Sequence, residues 1–84
     1  MFSILKHSIR DAGRFWGDLR AAGAPPEGTK VHQMLPSADG ASAVCLWEAD
    51  GVDTVRSLVE KTVGSSSSNT FFAVDAANAM GLPR

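Results

Sequence analysis

Eighty-four residues, 44% of them apolar and 20% charged, fit one small globular domain with a sufficient core. A net charge of −1 gives no general attraction to nucleic acid or anionic lipid, so neither is expected as a partner. No run approaches the roughly 18 apolar residues of a membrane span, and the single cysteine excludes an internal disulfide or a cysteine-built zinc cage, making a reducing cytoplasm the simplest expectation.

The opening "MFSILKHSIRD" is apolar but short and lacks a small-residue cleavage site, so no signal peptide is expected. Within it, Phe2–Ile9 has the length and composition of a strand. "DAGRFWGDLRAAG" reads as a helix with Asp11 as N-cap and Ala12, Phe15, Trp16, Leu19 and Ala22 at helical spacing. Gly23 stops it and Pro25-Pro26 forbids continuation. Gly13 and Gly17 each cost about 1 kcal/mol relative to alanine, so this helix depends on packing. Lys30–Leu35 and Ala41–Ala49 read as two strands joined through Asp39-Gly40, a hairpin signal. "DGVDTVRSLVEKTVG" is a second helix, with Asp50 as N-cap candidate, Val52, Val55, Val59 and Val63 on one stripe, and Gly64 at its end. "SSSSN" reads as a mobile polar loop, Thr70–Asp75 as a fourth strand, and "AANAMGLPR" as a tail that begins with a helical turn.

Strand, helix, strand, strand, helix, strand is the order of the split βαβ, or ferredoxin-like, α+β fold. Such a single domain over residues 1–84 has a four-stranded antiparallel sheet, order 4-1-3-2, with both helices on one face. The inner strands, the first and third, do not alternate cleanly: Phe2 and Ile4 oppose Leu5 and Ile9, and Val44 and Leu46 oppose Cys45 and Trp47. Both sheet faces therefore read as apolar, and helices cover only one. A bare face of roughly 300 Å² is worth on the order of 8 kcal/mol when covered, an upper estimate. A homodimer, sheet against sheet, is the expected solution, with any small cavity between sheet and helices.

If Asp39-Gly40 is a two-residue turn, His32 faces Trp47, Met34 faces Cys45 and Gln33 faces Leu46. One face then carries His32, Met34, Cys45 and Trp47, soft and aromatic like a cavity wall. The other carries Val31, Leu35, Val44 and Leu46, aliphatic enough to lie under the helices. His7, His32, Met34, Cys45 and Trp47 are the candidate binding residues. Cys45 reads as a nucleophile, a metal ligand or, more simply, a small buried hydrophobe. Trp47 suits stacking on a ligand, a dimer interface or plain core packing. Glu48 is a general base if desolvated, and otherwise a strand-end carboxylate in water. His7 and His32 together offer a divalent-metal pair or a proton shuttle, but they lack helical ligand spacing. Turn chemistry accounts for Asn69. No catalytic set, metal or cofactor is called for.

The segments "HSIRDAGRFW" and "AVCLWEADGVDTVRSLVE" resemble the dimeric α/β-barrel superfamily of ferredoxin-like proteins, and in particular small bacterial proteins with a "CLWEA" third strand. The resemblance spans nearly the whole chain and rests on structural motifs. It implies a homodimer and a small-molecule cavity, in a superfamily that includes cofactor-independent monooxygenases, muconolactone isomerase-like enzymes, stress-responsive proteins and a nickel-binding group. Three functions follow as expectations. The first is a homodimer binding an apolar or aromatic small molecule, with or without turnover, whose pocket His32, Trp47 and His7 line and where a histidine accepts a proton. The second is a nickel-like divalent-metal protein using His7, His32 and Cys45 or Glu48. The third is an interaction module whose sheet face is filled by its partner.

Overall fold

The computed structural model describes residues 1–83. Its elements run β1 (Phe2–Ile9), α1 (Ala12–Ala22), β2 (Lys30–Pro36), β3 (Ser42–Glu48), α2 (Val52–Val63) and β4 (Ser67–Ala73). The four strands form one antiparallel sheet ordered β2-β3-β1-β4, which is 4-1-3-2 read from the other edge. The chain has the ferredoxin-like α+β fold.

Local chemistry sets the helix ends. The Asp11 carboxylate accepts the Arg14 backbone N–H at 3.1 Å and caps α1. Gly23 ends that helix at φ 67°, a left-handed conformation that favours glycine. The N-cap of α2 is Gly51, one residue later than expected, because the Asp50 carboxylate is engaged by the Thr54 hydroxyl at 2.5 Å. Gly64 closes α2 in a helical conformation, and its reason is steric: a Cβ there would lie 2.4 Å from the Glu60 carbonyl oxygen.

The core lies between the helices and one sheet face. Leu5 and Cys45, partners across β1 and β3, meet Phe15 from α1 and Val55, Val59 and Val63 from α2. Alternation along β1 places Ser3, Leu5 and His7 on this face and Phe2, Ile4, Lys6 and Ser8 on the other. Ile4 sits mid-sheet on the open face, paired with Leu46 on one side and Phe72 on the other.

Three expectations about β2 and β3 are corrected. The hairpin loop is wider than two residues: Ser37 N–H donates to the Ser42 carbonyl at 2.8 Å, and Gly40, at φ 76°, turns the chain. Register from Gln33 to Pro36 is nevertheless as expected, with Met34 opposite Cys45. Beyond it a bulge at His32 pairs Val31, rather than His32, with Trp47. The covered face is also the reverse of the one expected. Val31, Met34, Cys45 and Trp47 face the helices, whereas Leu35, Val44 and Leu46 lie on the open face. The physical reason is polarity: Lys6, Gln33 and Glu48 share the second face and need water, while Ser3, Ala43 and Cys45 on the first are small and neutral.

The serine run is corrected as well. Ser66 and Ser67 are buried, and β4 starts at Ser67, three residues before the expected strand. The Ser66 carbonyl accepts the Arg10 and Asp11 backbone N–H groups at 2.9 and 3.3 Å, tying this turn to the start of α1. At the other end β4 stops at Ala73, and the tail opens with a turn over 76–78.

Candidate functional site

A cavity of about 670 Å³ opens between α1, α2 and the covered face of β2 and β3. Its cause is visible in the sequence after Leu19: Ala21, Ala22, Gly23 and Ala24 line it without filling it. Leu19, Val31, Met34, Trp47 and Leu58 give it apolar walls, and His7 and Cys45 lie at its floor. Arg14, Asp18 and Lys61 stand at its edge with the Thr62 hydroxyl. Volume and lining fit a small-molecule pocket, mostly apolar with a few polar groups.

Four of the five expected binding residues, His7, Met34, Cys45 and Trp47, meet here. They do so because positions on β1, β2 and β3 that point under the helices fall in adjacent rows of the sheet. Trp47 is half-buried, and its indole Nε1 is shielded from water with no hydrogen-bond partner among the described residues. Ser3, its cross-strand partner, has a hydroxyl in the same state. Two adjacent unsatisfied polar groups are uncommon in a packed core.

A hydrogen-bonded chain runs along the floor. The Glu60 carboxylate accepts the Asn69 amide N–H at 3.0 Å, which turns Asn69 Oδ1 toward His7. His7 Nδ1–H therefore donates to Asn69 Oδ1 at 2.6 Å. The imidazole's Nε2 is left as an acceptor, 3.2 Å from Cys45 Sγ. Met34 Sδ lies 3.2 Å from the same sulfur. Phe15 packs edge-on against the His7 ring at 5.2 Å.

Burial pushes the His7 pKa below its ordinary value, partly opposed by the Asn69 hydrogen bond and the Glu60 charge, so the ring is neutral at pH 7. Burial also pushes the Cys45 thiol up to about 12. The nearby Trp47 N–H favours the thiolate but lies outside hydrogen-bonding geometry to the sulfur, so desolvation decides. Cysteine, histidine and asparagine in this order have the outline of an activated nucleophile. A neutral thiol only 1% exposed does not act as one, and the His7 lone pair faces that thiol rather than the cavity.

His32 is separate. The bulge turns it to the open face, where its Nε2–H donates to Glu48 Oε1 at 2.9 Å and its ring lies 5.5 Å from Phe2. That hydrogen bond holds the Glu48 carboxyl below the usual range. Glu48 is thus a partly exposed hydrogen-bond partner of His32 and has no desolvated general-base character. With His7 and His32 on opposite faces, the two-histidine metal pair is ruled out within one chain. Among the described residues no three His, Cys, Asp or Glu side chains cluster as a metal centre.

Asn69, Glu60 and Ser3 are the site residues that sequence reading missed. Asn69 was hidden because β4 begins earlier than its apolar run; a period of two through Ser67, Asn69 and Phe71 is the signal that finds it. Comparison with protein-family models, curated proteins and solved structures gives no match for this chain. The class established is therefore that of the fold: a ferredoxin-like α+β domain with a sheet open on one face and, among its described residues, no helix long and apolar enough to cross a membrane.

Proposed function

We propose that this chain is a homodimeric small-molecule-binding protein of the dimeric α/β-barrel type, working in a reducing cytoplasm and holding an apolar, ring-bearing compound between helices and sheet. The cavity of about 670 Å³ walled by Val31, Met34, Trp47 and Leu58 carries this reading. The Trp47 ring supplies flat apolar surface, and the edge polar groups orient a ligand's polar end. Cys45 is a buried, neutral thiol and the His7 lone pair faces it rather than the cavity, so binding is the activity proposed.

The partner proposed for the open face is a second copy. Four strands about 4.8 Å apart and about seven residues long span roughly 440 Å² per subunit. Two such faces approach the roughly 1,000 Å² floor of specific interfaces. Leu35 and Phe72 are 57% and 53% exposed there, beside Ile4, Val44 and Leu46. A two-fold axis lying between the sheets, across the strands, sets the Lys6 row of one subunit over the Phe2 and Glu48 row of the other. That arrangement gives an apolar centre with opposite charges near its rim.

N-phenyl-1-naphthylamine, an uncharged aromatic probe, tests the pocket. With Trp16→Phe leaving Trp47 as sole tryptophan, titration is expected to quench Trp47 by energy transfer at one probe per subunit. Ala22→Phe, which fills the cavity from α1, abolishes saturation. Non-saturable binding, or binding unchanged by Ala22→Phe, overturns the reading.

A further inference from the structure

We propose that Cys45, Met34 and His7 form a binding site for a soft monovalent cation, copper(I), at the base of the cavity. The site stands on three donor atoms and is independent of any organic ligand above them. Cys45 Sγ lies 3.2 Å from His7 Nε2 and 3.2 Å from Met34 Sδ. Asn69 commits the other ring proton, so His7 Nε2 is a lone pair, and a thioether is only an acceptor. Two acceptors thus converge on a thiol that has one proton to give. A cation in place of that proton satisfies all three.

The donor set selects the ion. Thiolate and thioether sulfur favour copper(I), whereas magnesium and calcium require oxygen. Charge selects again. Binding exchanges the Cys45 proton for the metal, Cys–SH + Cu⁺ giving Cys–S–Cu and H⁺, and leaves a neutral centre. Zinc with one thiolate leaves a net positive charge among Leu5, Phe15 and Val59, which is costly in an apolar interior. Metal coordination also overrides the desolvation that keeps the free thiol protonated.

Geometry and surroundings fit. With bonds of about 2.3 Å to sulfur and about 2.0 Å to nitrogen, donors 3.2 Å apart subtend angles near 90°. Opening the Cys45–Met34 separation by about half an ångström, within reach of the flexible Met34 side chain, brings that angle to a tetrahedral value. Asn69, itself held by Glu60, fixes the His7 ring and its tautomer as partners behind metal-bound histidines do. The third donor is a methionine thioether, so the site needs only two side chains of the usual His, Cys, Asp and Glu set.

The test is anaerobic titration of the reduced protein with copper(I) against the colorimetric chelator bicinchoninate, with zinc(II) in parallel. One copper(I) per chain is expected, with X-ray absorption showing two sulfur neighbours and one nitrogen, and zinc not competing at equal concentration. Cys45→Ala abolishes binding. Met34→Leu, close in volume, weakens it at least tenfold while leaving the circular dichroism spectrum unchanged. Asn69→Ala weakens it 10- to 100-fold, as such outer partners do. Failure to draw copper(I) from the chelator, or equal affinity in folded Met34→Leu, overturns the assignment. Neither result bears on probe binding in the cavity.

Discussion

Phe72→Ala separates a lone domain from a dimer closed over the open sheet face. Phe72 pairs with Ile4 at the edge strand and is 53% exposed in the single chain. A phenylalanine offers about 200 Å², so about 100 Å² awaits cover. At about 25 cal/mol per Å² its burial contributes about 2.5 kcal/mol per subunit, or about 5 kcal/mol per dimer, as an upper figure. Losing it raises the dimer dissociation constant by three to four powers of ten, roughly. Within one chain the same truncation removes a half-exposed ring and costs far less. Sedimentation equilibrium from nanomolar to high micromolar concentration is the assay. Wild type is expected as a dimer across most of that range and Phe72→Ala as a monomer with the same fold. A wild-type monomer at high micromolar concentration, or a dimer indifferent to Phe72→Ala, refutes the reasoning.

Other consequences concern the core. Because burial lowers the His7 pKa, the unfolded chain binds the extra proton first as pH falls. Stability is fully present above the unfolded pKa near 6.5 and is lost as pH falls through the lower folded value; urea melts between pH 8 and 5 should show this slope, and His7→Gln should flatten it. Phe15→Ala, which empties the centre of the core, is expected to cost about 3–5 kcal/mol in urea denaturation. Gly64→Ala forces a Cβ onto the Glu60 carbonyl and should lower the thermal midpoint, although alanine is the better helix former. His32→Ala should move the Glu48 carboxyl titration up toward its ordinary range in carbon-detected NMR.

The fold was legible because its signals are local and redundant. Asp11, Gly23, Pro25-Pro26 and Gly64 bound the helices, Asp39-Gly40 marks the hairpin, and the element order then leaves few topologies. Aliphatic count alone points to the wrong sheet face; the polarity of Lys6, Gln33 and Glu48 on that face decides it. The His32 bulge was not legible. A single inserted residue leaves the hairpin pattern intact on either side and changes only where one side chain points. The grouping of His7, Met34, Cys45 and Trp47 follows partly from the Met34–Cys45 register, but His7 and Asn69 join it through pairings of β1 that span the length of the chain.

Proton–nitrogen and methyl NMR spectra of the isotopically labelled protein, recorded while N-phenyl-1-naphthylamine is added, test the cavity most directly. Saturable shifts are expected at the Trp47 indole N–H and the Val31, Met34 and Leu58 methyls, with Leu35 and Val44 still. Shifts confined to Leu35, Val44 and Leu46, or none at saturating probe, contradict this reading.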